Sequence, residues 1–340
     1  MNNKGKYMKI TKILVALAFL FSVSTANAGE LTVTGSMSAT YHTESETTTG
    51  NALGMDRELK FAGSTELDNG ITVSVMQDTS DSLAYGNSQL SFGNVGGLAT
   101  IYVGSDSDPV DAIDDITPSA YEEANGSGSG TSYNDVGATA GQMGIGAKFD
   151  VPFLGAVNYK YYPKTDGVKN ADNANSSDEN ANVGDAFALT VKTNLADLPG
   201  AGALEGFTLT TGYLEHDHSV TANVDNAFDL VAALNYSNGP WSVGFQRKVH
   251  NEGEGATNAL TDAVWYKDTI LGVAYAVNDN LSLSYNRYES YKHDNTGAPD
   301  QETTAINIGY AIGGMTISFQ DAQTDNAGWA ANTKDDTRTL

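Results

Sequence analysis

From Gly29 onward, apolar and polar residues alternate along short segments of the chain. The first segment carries Leu31, Val33 and Met37 on one face and Thr32, Thr34 and other small polar residues on the other. Fifteen segments of this kind run to Phe319, and Asp335 to Leu340 begins a sixteenth. An alternation with a period of two is the pattern of β-strands, whereas helices repeat every 3.6 residues. The chain is therefore predicted to be all-β.

The connections between these segments alternate in length. Short connections follow the even-numbered segments and consist of turn residues, as in Asp68-Asn69-Gly70 and Gly313-Gly314. The one exception is the connection after the eighth segment, Asn194 to Glu205, which is longer than the others that follow even-numbered segments. Long connections follow the odd-numbered segments, and the longest runs from Ser105 to Gly141. A transmembrane β-barrel has this pattern, because turns join its strands at one rim and loops at the other. The strands of a soluble sandwich or propeller also alternate apolar and polar residues, but neither fold explains why short and long connections alternate.

The N-terminal segment has the features of a secretory signal peptide. Four lysines precede the apolar stretch from Ile13 to Phe21, and Ala26-Asn27-Ala28 is a small-residue cleavage site. The sequence thus predicts a signal peptide over residues 1–28 and a barrel domain over residues 29–340. No other stretch approaches the roughly 18 apolar residues that a membrane helix needs, so a helical membrane protein is excluded.

Composition narrows the possible chemistry. The chain has no cysteine, which excludes disulfides, thiolate metal sites and thiol catalysis. Removing the four signal lysines from 18 basic residues leaves 14 against 42 acidic residues, a formal charge of −28. Such a surface disfavours nucleic acid as a partner and favours cations.

Three segments resemble a known family. The first is the predicted first strand, Gly29 to Gly35 (GELTVTG), and the second is a predicted hairpin, Phe61 to Val75 (FAGSTELDNGITVSV). The third precedes an acidic loop and runs from Ser91 to Gly104 (SFGNVGGLATIYVG). All three are similar to the Gram-negative general diffusion porins, in particular those of the alphaproteobacterial type. The resemblance implies a 16-stranded antiparallel transmembrane β-barrel that forms a homotrimer in the outer membrane. It also implies that the third long loop folds inward and that ions and small hydrophilic solutes diffuse through the pore.

The chain departs from this family in two places. Members often have an arginine where this chain has Ser105, so a basic wall residue is not transferred to that position. Members also end in a full strand with a terminal aromatic residue, whereas only five residues follow Asp335 here. A barrel without its full closing strand would leave backbone groups unpaired in lipid. We therefore expect that the last strand is truncated in this sequence. We expect the native reading frame to continue past Leu340 and to end in an aromatic residue.

The third long loop is the candidate pore constriction. It holds eight acidic residues and no basic one. The predicted constriction consists of Asp106, Asp108, Asp111, Asp114, Asp115, Glu122 and Glu123. Lys60 and Lys160, on the inward face of their strands, are the candidate pore wall. Such a pore would prefer cations weakly, because salt screens charges across a gap of about 10 Å. The alternative is a solvated external loop.

Other functions fit the sequence less well. The cluster from Asp106 to Asp115 could bind Ca²⁺, although it lacks EF-hand spacing, and His216-Asp217-His218 could hold a transition metal. No strand places a serine beside a histidine as a nucleophile would require, so we predict no enzyme, although a barrel lipase could assemble such a pair from residues far apart in the sequence. Two alternatives to a general pore stay open. One is a substrate-specific channel lined by Tyr121 or Tyr133, and the other is a non-conducting barrel adhesin.

Four basic residues lie on the lipid-facing side of their strands, near the long loops. They are Arg57, Arg247, Lys267 and Arg287. A charge costs roughly 2 to 4 kcal/mol at mid-bilayer but only about 0 to 1 near the interface, and guanidinium groups pair well with phosphate. We therefore predict that they bind lipopolysaccharide. The alternatives are contacts between subunits and, for Arg287, a bulge that turns it into the pore.

Overall fold

Sixteen strands form a closed antiparallel barrel in a computed structural model of the chain, in which each strand pairs with its neighbours in sequence and β1 pairs with β16. The structure describes residues 31–44, 50–79, 85–106, 108–124, 136–137, 142–163, 184–217, 226–253, 264–293 and 297–340. The strands are β1 (Leu31–Glu44), β2 (Leu53–Glu66), β3 (Thr72–Thr79), β4 (Tyr85–Val95), β5 (Ala99–Gly104), β6 (Gly144–Val151), β7 (Gly155–Tyr162), β8 (Ala186–Asn194), β9 (Phe207–His216), β10 (Ala227–Asn238), β11 (Trp241–Asn251), β12 (Trp265–Ala276), β13 (Leu281–His293), β14 (Gln301–Ile312), β15 (Met315–Asp325) and β16 (Lys334–Thr339). The predicted signal peptide lies outside the described residues.

The predicted order of turns and loops is confirmed. Short turns follow β2, β4, β6, β10, β12 and β14, and define what we call the turn rim. The longer connection after β8 contains two short 3₁₀ helices, Leu195–Asp197 and Gly202–Leu204. The opposite end, where the long connections lie, is the loop rim. Within the described residues, the chain has no helix of sufficient length and apolarity to span a membrane.

The alternation of side chains gives the barrel an apolar exterior. On the outer face, Met37 is 70% exposed and Ile306 is 57% exposed, whereas Asn307, which points inward beside Ile306, is fully buried. Aromatic pairs lie at both rims: the rings of Trp241 and Tyr275 are 4.5 Å apart at the turn rim, and those of Trp265 and Tyr291 are 5.3 Å apart toward the loop rim. Two such belts are typical of a barrel whose outer surface faces lipid.

The barrel closes between its first and last strands. β16 pairs with β15 from Lys334 to Thr339 and with β1 through three residues, beginning with Thr339 opposite His42. Tyr41 and Leu340 exchange backbone hydrogen bonds of 2.8 and 2.9 Å. The fold predicted from the sequence is therefore confirmed as a sixteen-stranded antiparallel barrel.

The long connection after β5 enters the barrel, as predicted. Val110 from this loop is fully buried in an apolar cluster with wall residues of β7 to β10, among them Tyr162, Ala188, Leu214 and Val231. An external loop could not bury a valine against the inner wall. We call the described part of this connection, residues 105–106 and 108–124, the constriction loop.

Candidate functional site: the constriction loop and its wall

A row of inward-facing glycines lets the constriction loop lie directly on the barrel wall. These glycines are Gly212 on β9, Gly244 on β11, Gly272 on β12 and Gly309 on β14. A Cβ atom on Gly272 would lie 2.7 Å from the carbonyl oxygen of Pro118, and one on Gly309 would meet the carbonyl oxygen of Ala120. Glycine is the residue that permits such close approach of two backbones. We refer to these four positions as the glycine track.

Side-chain amides bind the first half of the loop to the wall. Gln246 on β11 accepts a hydrogen bond from the backbone N–H of Ile116 (3.2 Å) and donates to the carbonyl oxygens of Ile113 (3.0 Å) and Asp114 (2.5 Å). Asn235 on β10 donates to the carbonyl oxygen of Ile116 (2.9 Å). Each bond contributes a net of about 1 kcal/mol, and the amides also satisfy loop backbone groups that would otherwise be buried without partners.

The tip of the loop is held in the same way. The side chain of Asn286 donates to the carbonyl oxygen of Pro118 (3.1 Å), and the backbone N–H of Ala120 donates to the hydroxyl of Ser284 (2.9 Å). Gln320 on β15 donates to the carbonyl oxygens of Glu122 (3.3 Å) and Glu123 (3.1 Å). Together with the apolar contacts of Val110, these bonds hold the loop on the wall from β7 to β15. We call the part of the lumen that the loop leaves open the passage.

Burial divides the seven predicted constriction residues into two groups. Asp111 and Asp115 are exposed inside the barrel, and Asp106 and Glu122 are partly exposed. The other three, Asp108, Asp114 and Glu123, are buried. The prediction that all seven carboxylates face the passage is therefore wrong for these three, because each turns toward the loop itself or the wall.

The buried carboxylates have local partners instead. Asp108 accepts a hydrogen bond from the backbone N–H of Val110 (2.8 Å). An oxygen of Asp114 lies 3.7 Å from the ammonium group of Lys248 on β11. Glu123 accepts hydrogen bonds from the backbone N–H (2.6 Å) and the hydroxyl of Thr117. These groups shape the loop rather than charge the passage.

Glu123 makes the loop sensitive to pH. Burial raises the pKa of its carboxyl to about 7, while the hydrogen bonds from Thr117 and the charge of Lys248 oppose the rise. Because the bound loop favours the protonated acid, it holds more protons than a released loop with the ordinary value of 4.5. Linkage then requires that loop stability fall as the pH rises from about 4.5 to about 7.

We expect proteolysis of the loop to report this titration. The wild-type loop should become more susceptible to cleavage as the pH rises through that window, and Glu123→Gln should lose the pH dependence because its side chain stays neutral. The matched control is Glu122→Gln, whose side chain is only partly buried. An equal pH dependence in wild type and Glu123→Gln would show that another group is responsible.

The two predicted wall lysines differ. Lys60 on β2 is exposed inside the barrel and lines, with Asp106, a cavity of about 370 Å³. Lys160 on β7 is fully buried, 3.2 Å from the carbonyl oxygen of Asp106 and 4.7 Å from the ring centroid of Tyr162. The prediction that Lys160 lines the passage is therefore wrong. It anchors the start of the constriction loop, because the loop covers the wall at that height.

Several inward charges were absent from the predicted site. Asp56 and Glu58 share the inward face of β2 with Lys60 and are exposed. Lys148 on β6 and Lys192 on β8 are exposed inside the barrel as well. Strand alternation alone places all four of these side chains on the inner face, as it does Lys60 and Lys160. The glycine track and the amides have no comparable signal, because their role depends on a loop distant in sequence.

The remaining candidate residues are the predicted metal ligands and the two tyrosines that would line a substrate-specific channel. Among the described residues, no three histidine or acidic side chains are close enough to hold a metal ion. His218 and Tyr133 lie outside the described residues. Tyr121 is partly buried, and its backbone N–H donates to the hydroxyl of Ser119 at 3.4 Å.

The four lipid-side cations lie on the outer face of regularly paired strands. Arg57 is opposite Met37, and Arg247 is opposite Ala232. The ammonium group of Lys267 lies 4.9 Å from the ring centroid of Tyr291. Arg287 pairs with Glu302 (2.7 Å) and Glu289 (3.3 Å). Register is unbroken on both sides of Arg287, so the alternative of a bulge that turns it into the pore is wrong.

Comparison with solved structures shows the same fold. The chain is similar to an in-vitro folded trimer form of OmpT, an outer membrane protein of Vibrio cholerae, with a TM-score of 0.63, 11% identity and coverage of 92% of this chain and 98% of that one. It is similar to a porin refined at 1.8 Å resolution, with a TM-score of 0.59, 14% identity and coverage of 92% and 99%. For a mutant of the Rh. blastica porin the TM-score is 0.55, with 17% identity and coverage of 92% and 99%.

Sequence comparison gives the family. Among curated proteins, none matches the chain. The family model described as Gram-negative porin matches residues 14–337, nearly the whole chain. Together with the closed barrel and the loop inside it, this match shows that the chain belongs to the Gram-negative porin family.

Proposed function

We propose that this outer-membrane diffusion channel passes ions and small hydrophilic solutes with a weak preference for cations. Membership of the porin family makes the chain an outer-membrane channel, and the preference is the new element. The observation that carries it is that Asp111 and Asp115 are exposed inside the barrel on a loop bound to the wall.

The charges that line the passage support this preference. Four carboxylates of the constriction loop reach it at least in part, and Asp56 and Glu58 are exposed on the inward face of β2. Lys60 is the exposed base beside them on that strand. Acidic side chains at a constriction favour cations.

Salt limits how strong the preference can be. Unit charges about 10 Å apart in water interact by roughly 0.4 kcal/mol, and the screening length of about 8 Å at physiological salt reduces this further. Cation preference should therefore weaken as salt is raised.

Planar-bilayer recordings with the purified protein test the proposal. Conductance steps proportional to bulk salt, with a reversal potential favouring cations in a salt gradient, support it. Saturable block by one neutral solute would favour a substrate-specific channel, for which Tyr121 is the remaining described candidate. The absence of steps would favour a non-conducting adhesin.

The proposal extends to assembly and cofactors. A homotrimer is proposed because a trimer form is known for OmpT of Vibrio cholerae, which shares the fold. A channel of this family has no need of a catalytic site, so we propose no enzymatic activity. Calcium at the acidic loop remains a prediction, and calorimetric titration of the trimer with Ca²⁺ is its test.

We also propose that the outer basic residues bind lipopolysaccharide phosphates near the loop rim. Arg57, Arg247 and Lys267 favour this reading, because lysine and arginine stems can extend to the headgroups. Arg287 favours it less, because Glu289 and Glu302 already pair with it.

Substituting Arg57, Arg247 and Lys267 with glutamine should lower the lipopolysaccharide that co-purifies with the trimer and leave conductance unchanged. The control is Lys334→Gln. It removes a charge on the outer face that already forms an ion pair with Asp325 (3.1 Å). Retained lipid together with dissociation of the trimer would favour subunit contacts.

A further inference from the structure

A second cavity lies between the constriction loop and the turn rim. Its volume is about 540 Å³. Pro109, Ala112 and Ile113 of the loop bound it on one side, and Gly97 and Leu98 of the turn after β4 bound it on the other. The wall between them belongs to strands β5 to β8. A solute that has passed the loop therefore meets this cavity before it reaches the periplasm.

Two lysines stand on this wall on either side of β7. Lys148 on β6 is opposite Asn158 of β7, and Lys192 on β8 is opposite Ala156 of β7. Both lysines are exposed and both line the cavity. Because alanine is small and asparagine is short, the two long side chains can reach the same volume above β7.

The two ammonium groups are available to a solute. No acidic group of the described residues lies within 4.0 Å of either one. The ammonium group of Lys148 lies 5.2 Å from the ring centroid of Tyr102, which positions it without neutralising it. Asp150 is the carboxylate among the residues that line the cavity, so the lining carries one net positive charge.

Neutral donors complete the arrangement. The hydroxyl of Tyr102 donates to Oδ1 of Asn158 (2.7 Å), so the amide is oriented with its N–H₂ group as the remaining donor. Thr100 and Thr190 line the same cavity and belong to the same row of paired residues as Lys148 and Asn158. Two ammonium groups with amide and hydroxyl donors form the donor set that binds an oxyanion.

We propose that Lys148, Lys192 and Asn158 form a subsite that binds the carboxylate or phosphate group of a small solute on the periplasmic side of the constriction. This subsite rests on the proposed function as a diffusion channel. It reverses the sign of the charge met along the passage, since the loop above is acidic and the cavity below is basic. The channel thereby retains a route for small anions despite its preference for cations.

The test uses citrate and inorganic phosphate as probes in planar-bilayer recordings at low salt. We expect citrate on the periplasmic side to produce brief block of the potassium current, and phosphate to compete with it. The double variant Lys148→Gln/Lys192→Gln should raise the citrate concentration for half-block about tenfold or more, which corresponds to at least about 1.4 kcal/mol. Lys148→Arg/Lys192→Arg should retain the block.

Controls separate the subsite from general electrostatics. Lys334→Gln removes a unit charge from the outer face and should leave citrate block unchanged. If the double glutamine variant does not insert into bilayers, the single variants should each weaken the block in part. Equal block in wild type and the double variant would overturn the subsite, as would citrate block that phosphate does not compete with. A protein without conductance steps would contradict the channel itself, so the two failures are distinguishable.

Discussion

Replacing Asp111 and Asp115 by asparagine is expected to shift the reversal potential of the pore toward anions in a salt gradient. Both carboxylates are exposed inside the barrel on a loop that Gln246 and Gln320 hold against the wall. At about 10 Å each charge attracts a cation and repels an anion by roughly 0.4 kcal/mol before screening, so removing one charge changes the ratio of cation to anion permeability by at most about fourfold. The shift should shrink as salt rises.

The control for this prediction removes two acids from the turn rim. Asp197 and Asp279 are exposed in periplasmic connections away from the loop, so the variant Asp197→Asn/Asp279→Asn has the same net charge. Neutralising Asp106 as well should enlarge the shift, because its side chain is partly exposed, whereas Asp108 and Asp114 are buried and should add little. An unchanged reversal potential in all these variants would show that the loop does not determine selectivity.

Substituting Gly272 or Gly309 by valine is expected to lift the constriction loop off the wall and to lower single-channel conductance. At both positions a new side chain would meet a loop carbonyl oxygen, Pro118 for Gly272 and Ala120 for Gly309. Backbone atoms cannot move aside by changing rotamer, so the bound loop should lose about 1 to 3 kcal/mol of stability. Displacement away from the wall is displacement into the passage.

Gly93→Val is the matched control. Gly93 lies on β4 in the barrel wall, but a Cβ atom there meets nothing closer than 3.7 Å. This variant should keep wild-type conductance and resistance of the loop to proteolysis, whereas the track variants should lose both. If the track variants match Gly93→Val, the loop does not depend on the track.

The glycine track also shows why the sequence predicts the barrel better than it predicts the candidate functional site. Strand positions follow from alternation with a period of two, which is a local property of the sequence. The order of turns and loops could therefore be predicted correctly from the sequence. The same alternation places Lys60, Lys160 and Lys248 on the inner face. It does not indicate which of them the constriction loop covers.

The sequence by itself determined the strands, the two faces of each strand and the acidity of the third loop, since these depend on neighbouring residues. Only the tertiary structure decided that Asp111 and Asp115 face the passage while Asp114 pairs with Lys248, and that Lys160 anchors the loop while Lys148 and Lys192 remain exposed. The physical reason is that burial of a charged group depends on contacts between segments far apart in the chain. Such contacts leave no periodic signal.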